Sequence, residues 1–106
     1  MTSDRQVIDN LWIEKTPKGY RIGLTNQAQD DLGKITFVTL PKVGQQLAKG
    51  DSLVELEAEK SVSEFSSPIS GTVVGINEAA DKKPEVLDDL DESKAWLVDF
   101  AEVKED

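Results

Sequence analysis

Between Val54 and Lys60 the chain alternates apolar and acidic residues, Val54-Glu55-Leu56-Glu57-Ala58-Glu59-Lys60. This period of two restricts the fold more than any other feature of the sequence. Val54, Leu56 and Ala58 share one face and Glu55, Glu57 and Glu59 the other, an arrangement that suits a strand buried on one side and not a helix. Past Lys60 the alternation slips phase, because Val62 and Phe65 are three positions apart and cannot share one face of a regular strand. A tight turn near Glu59-Lys60, followed by an irregular or bulged return strand, accounts for the slip. Lys60 then stands at a hairpin tip. A lysine in such a place is by default a solvated surface residue, so position alone assigns it no role.

The rest of the chain reads as short strands punctuated by Gly and Pro. Leu11-Trp12-Ile13 and Tyr20 to Leu24 flank Thr16-Pro17-Lys18-Gly19, where Pro fixes φ and Gly admits a positive φ, so the two runs form an opening hairpin. Thr25 caps a short helix over residues 26–32, and Gly33 stops it in a left-handed conformation. Residues 35–40 are rich in β-branched and aromatic side chains and end at Pro41, as a strand does. Val43-Gly44 and Ala48-Lys49-Gly50-Asp51 are turns, Ser67 to Gly71 a corner, and residues 72–77 a further strand. The acidic stretch 78–92 holds Pro84 at a plausible first helical position and is expected to be a solvated loop with one helical turn. Residues 95–100 close the fold, with Trp96, Val98 and Phe100 alternating toward the core. Trp12 and Trp96 are expected to pack in hairpins or core rather than form a binding platform. Strands at this spacing predict a mainly β, flattened barrel or sandwich with a small helix on one edge. A single domain is expected over 1–106, with residues 1–8 and 102–106 frayed.

Composition narrows what a special lysine would be for. The chain has no cysteine and no histidine, so it offers no thiolate nucleophile, no disulfide and no imidazole base near neutral pH. Its carboxylates are spread along the chain as on a soluble surface, which argues against an enzyme and against a metal site. The net charge of −9 opposes binding to nucleic acid and to anionic membranes. No apolar run approaches a membrane span, and the first residues lack the apolar core of a signal peptide. A cytoplasmic protein is expected.

Several separated motifs then occur in order: Leu24-Thr25 through Gly33, Phe37-Val38-Thr39-Leu40-Pro41-Lys42-Val43-Gly44, Ala48-Lys49-Gly50-Asp51, Glu57-Ala58-Glu59-Lys60, Ser66-Ser67-Pro68-Ile69-Ser70-Gly71 with Val73-Val74 and Asn77-Glu78, and Trp96-Leu97. Together they cover most of the chain, which resembles the H-protein family of the glycine cleavage system. The resemblance implies a lipoyl-domain fold, a barrel-sandwich hybrid with one or two short helices. It also implies a non-catalytic carrier in which Lys60 bears lipoic acid through an amide. The partners it implies are a lipoate ligase or lipoyl/octanoyl transferase, glycine decarboxylase, an aminomethyltransferase and dihydrolipoyl dehydrogenase.

The local chemistry agrees with that role. A carrier needs a rigid scaffold and one exposed amine on a flexible stem, and the small residues Ala58, Ser61 and Ser63 keep the tip narrow. Without a thiol in the chain, disulfide exchange or group transfer resides in the attached dithiolane. A Schiff-base lysine needs burial or a neighbouring cation, whereas Glu57, Glu59 and Glu64 are expected to favour the charged form of Lys60. A biotin carrier, which presents its lysine between methionines in related folds, fits poorly, since Met1 is the only methionine. The sequence departs from the family pattern in three places. Asn10-Leu11 stand where H proteins have His-Glu before the first Trp-Ile, Glu59 precedes the lysine in place of Val, and the sequence ends soon after Phe100, where a C-terminal helical extension is expected in the family. Those departures resemble short H-like proteins that occur with lipoate-attaching and ADP-ribosylation enzymes. They keep open a relay or regulated carrier, itself ADP-ribosylated, or an unlipoylated interaction domain.

Overall fold

The computed structural model describes residues 5–104. Nine strands and two short helices follow one another: β1 (Arg5–Ile8), β2 (Leu11–Lys15), β3 (Gly19–Leu24), α1 (Asn26–Leu32), β4 (Ile35–Thr39), β5 (Gln46–Leu47), β6 (Ser52–Ala58), β7 (Val62–Ser66), β8 (Ser70–Ile76), α2 (Glu78–Lys82) and β9 (Trp96–Lys104). They form a six-stranded sheet in the order β1-β2-β3-β9-β8-β5 and a three-stranded sheet in the order β4-β6-β7. The two inner faces enclose one cluster of buried side chains that includes Leu11, Ile22, Leu24, Leu56, Val73, Leu97 and Phe100. The mainly β lipoyl-domain architecture expected from the sequence is the one observed.

The opening hairpin closes as its turn chemistry requires, with Gly19 N donating to the Thr16 hydroxyl at 3.0 Å. Ahead of it, where a frayed end is expected, lies a paired strand. β1 pairs with β2 from Arg5↔Glu14 to Ile8↔Leu11, joined by Asp9 and Asn10 at φ 49° and 69°. Two consecutive positive φ values make the tight hairpin turn that Asp and Asn tolerate best among non-glycine residues. At the other end β9 runs on to Lys104, which pairs with Ser70, while Glu102 and Val103 lie in a bulge before it, Glu102 at φ 52°. The remaining end residues expected to fray lie outside the described residues.

Three further expectations need correction. The bulge in the β6–β7 hairpin falls on the outgoing strand, not on the return. Ser52 pairs with Ser66 and Val54 with Phe65, leaving Leu53 as the extra residue, and both Leu53 and Val54 are buried. Trp96 is half-buried instead of a core residue. β9 bulges opposite β3 between Ile22↔Val98 and Gly23↔Trp96, which turns Leu97 inward, while the Arg21 guanidinium lies 4.0 Å over the Trp96 ring and pairs with Asp99 at 2.7 Å. Arg21 is thereby held above its ordinary pKa by its hydrogen bond to Asp99. Trp12, by contrast, is buried as expected.

The acidic stretch is built structure more than loose loop. Asn77 caps α2 through Ala80 N, Pro84 opens a 3-10 turn over Pro84–Asp88, and a second one spans Glu92–Lys94. Asp88 accepts from Ile35 N at 3.0 Å. Glu92 accepts from both Arg5 and the first amide of α1, Asn26 N. Buried Gln29 on α1 donates its amide to Leu87 O at 2.8 Å and Asp89 O at 2.6 Å. These bonds fasten α1, β1 and the 78–94 segment to one another, and α1 in turn supports the hairpin tip.

Candidate functional site

The tip of the β6–β7 hairpin is the candidate site. Leu56 is fully buried and Val54 nearly so, while Glu55 and Glu57 face solvent, so the alternation in the sequence is realised as one-sided burial. The register Leu56↔Ser63 and Glu57↔Val62 brings the strands to a turn closed by Ala58 N donating to Ser61 O at 2.9 Å. Ser61 and Ser63 hydroxyls lie 3.2 Å apart beside it. Lys60 projects from this turn, exposed.

The turn is held from outside the hairpin as well. Glu59 N donates to Lys34 O at 2.8 Å and Lys60 N to Leu32 O at 2.9 Å, so the segment joining α1 to β4 grips both tip residues. That segment exists in this form because Thr25 caps α1 with its hydroxyl on Ala28 N and Gly33 ends it. Gly33 has φ 76° and ψ −154°. The positive φ was anticipated, but the ψ places it in an extended, nearly glycine-only region and not in the left-handed helical one. The two α1-side carbonyl acceptors and the pairing of β6 with both β4 and β7 make the tip a fixed platform that carries the Lys60 side chain.

The polar partner of the Lys60 amine is a backbone carbonyl. Among the described residues no carboxylate forms an ion pair with Lys60. Its Nζ donates to the Asp30 carbonyl at 2.9 Å. Glu57 shares the outer face of the three-stranded sheet with Phe37 and Val62, its partners in the cross-strand row Phe37↔Glu57↔Val62, and Glu55 pairs with Glu64 in the next exposed row. The acidic residues therefore flank the tip as a sheet face and do not clamp the amine. Phe37 and Val62, both exposed, were not singled out from the sequence; the register that puts them in one row with Glu57 was the missing information.

No other constellation competes with this one. Among the described residues there is no group of His, Cys, Asp or Glu that would hold a metal ion. None of the described helices is long and apolar enough to cross a membrane. The tip presents one primary amine on a four-carbon stem, a group able to take up an acyl group through an amide.

Comparison with known proteins agrees with this geometry. The family model for the glycine cleavage H-protein matches residues 4–106. The glycine cleavage system H protein of Listeria monocytogenes serotype 4b (strain CLIP80459) is 42% identical over 97 residues, covering 92% of this chain and 78% of that protein. That of Geobacillus kaustophilus (strain HTA426) is 39% identical over 94 residues, covering 89% and 74%. The crystal structure of a glycine cleavage system H protein from Mycobacterium marinum superposes with a TM-score of 0.80 at 34% identity, over 97% of this chain and 91% of that one. With a family model spanning nearly its full length and a hairpin lysine presented on a rigid two-sheet scaffold, this chain belongs to the glycine cleavage H-protein family.

Proposed function

We propose that Lys60 carries the lipoyl group with which this member of the H-protein family serves glycine cleavage. Proteins of this family carry lipoic acid covalently on a lysine, and their work is that of a carrier among the glycine-cleaving decarboxylase, the aminomethyltransferase and the lipoamide dehydrogenase. The observation that supports Lys60 as the attachment point is its place: exposed, at the end of a hairpin whose two tip amides are bonded to a neighbouring element. A rigid base with one exposed amine lets a modifying enzyme engulf the tip and later lets the loaded arm visit separate active sites. The polypeptide, a single carrier domain over 1–106, does no catalysis of its own. With no cysteine or histidine in the chain, reversible disulfide chemistry and aminomethyl transfer fall to the dithiolane and to the partner enzymes. A lipoate ligase or a lipoyl/octanoyl transferase supplies the acyl group. A cytoplasmic location fits those partners.

Intact-mass measurement of protein purified from its own host tests the assignment. Wild type is expected to show the lipoyl increment and Lys60→Arg to lack it, since arginine keeps the charge and most of the stem but does not form this amide. A lipoyl adduct that persists in Lys60→Arg, or is absent from wild type, sinks it. Reconstituted glycine cleavage with the lipoylated protein tests the pathway, and turnover that is no faster than in its absence would count against it.

A further inference from the structure

The contact between Lys60 and the end of α1 has a role beyond holding an unmodified amine. The last carbonyls of a helix lack intrahelical donors, and α1 has no basic residue in its last turn. Gly33 N serves Gln29 O at 2.9 Å, Lys60 N serves Leu32 O at 2.9 Å, and Lys60 Nζ serves Asp30 O at 2.9 Å. One residue from a distant hairpin thus satisfies two of these acceptors, once with its backbone and once with the end of its side chain. Between the two bonds the lysine stem passes Gly33. A Cβ at Gly33 would lie 3.1 Å from Lys60 Cγ and 3.3 Å from Glu59 Oε1, so a side chain there would press on the stem and on Glu59.

Of the three N–H donors of an ammonium, an acylated lysine keeps one, and Asp30 O needs only one. From this we infer that Gly33 and the Asp30 carbonyl are positioning elements for the loaded arm: the lipoyl-amide N–H remains bonded to Asp30 O, and free motion begins beyond the amide, not at the Lys60 Cα. The arm then leaves the protein from a fixed point above the C-terminal end of α1. Its swing is shorter and more directed than that of a lysine free from its root. This rests on Lys60 being the attachment site.

Lipoylated protein labelled with 15N-lysine tests it, because the lipoyl-amide N–H gives its own proton–nitrogen signal. Intact mass and peptide mapping first locate the adduct; an adduct elsewhere overturns the attachment and this inference together. With the adduct on Lys60, the amide proton is expected to exchange with solvent roughly three- to tenfold more slowly than in free Nε-acyl-lysine, the protection one partly exposed hydrogen bond of ordinary strength confers. Its heteronuclear NOE is expected to approach backbone values. In Gly33→Ala the new methyl group presses on the stem and the positive φ strains the segment that carries the carbonyl acceptors, so protection and NOE are expected to fall toward those of free acyl-lysine. Exchange in wild type at the free acyl-lysine rate overturns the inference while leaving the attachment intact, and so does unchanged protection in Gly33→Ala. If Gly33→Ala does not fold, the wild-type measurement decides alone.

Discussion

Gln29 offers the sharpest test of how the hairpin platform is held. Its side chain is buried at 8% exposure on α1, with Nε2 donating to Leu87 O at 2.8 Å and Asp89 O at 2.6 Å, while Oε1 accepts from Asn26 Nδ2 at 2.7 Å. Only this orientation of the amide works, since the reverse would set its oxygen against two carbonyls. Gln29→Leu keeps the volume and removes the donors. Two such bonds at a net ~0.5–1.5 kcal/mol each give a loss of ~1–3 kcal/mol, which for a domain of this size lowers Tm by roughly 4–8 °C per kcal/mol. Gln29→Glu is expected to be worse at neutral pH, because a carboxylate presents only acceptors to the two carbonyls. Burial and those oxygens raise the folded-state pKa of the introduced carboxyl above its unfolded value of about 4.3. Its penalty is therefore absent below the unfolded pKa and grows as pH rises through the folded one. Urea unfolding followed by Trp fluorescence, with wild type subtracted at each pH, measures both effects. Gln29→Leu as stable as wild type, or a Gln29→Glu deficit that does not shrink toward pH 4, would refute the reasoning.

Other substitutions probe the two sheets and the acidic segment. Gly23→Ala puts a Cβ 2.4 Å from Trp12 Cζ2 and 2.7 Å from Ala95 O; with a buried ring on one side and backbone on the other, a loss of ~3 kcal/mol, at the upper end for overpacking, is expected in chemical denaturation. Leu56→Ala removes a fully buried side chain directly beneath the tip and is expected to cost ~3–5 kcal/mol, and amide exchange at Ala58 and Lys60 should speed up with it. Asp91 caps the Glu92–Lys94 turn, and hydrogen bonds from the Ser93 hydroxyl and amide hold its carboxyl below the usual 3.8. The stabilisation it provides is present above the unfolded pKa and lost as pH falls through the lower folded one. An NMR titration should therefore place Asp91 below 3.8 in wild type and closer to it in Ser93→Ala, and identical midpoints in the two would contradict the cap.

The hairpin, the capped helix and the lysine at the tip were legible because each rests on a local rule: period-two burial, a Thr hydroxyl at an N-cap, a glycine after the last helical turn. What escaped was set by pairing between distant segments. Leu53 and Leu97 bulge because of the strands opposite them, and nothing in their own neighbourhoods marks it. The same holds for the Lys60–Asp30 bond, which joins residues thirty positions apart. The Asp9-Asn10 turn and the Asn77 cap, by contrast, carry ordinary local signals of turn and cap chemistry.

The grip of α1 on the tip fixes the length of the hairpin. Lengthening each strand by one residue at the tip would turn Glu59 and Lys60 to the opposite face of the sheet. Lengthening by two would restore the faces but carry Glu59 and Lys60 about 7 Å past the carbonyls of Leu32 and Lys34 that now receive their amides. Reach is thus unavailable as a variable to the polypeptide. A carrier of this design can serve a deeper active site only by a longer appended group or by a partner that comes closer, and the distances between successive active sites must be spanned by travel of the whole domain.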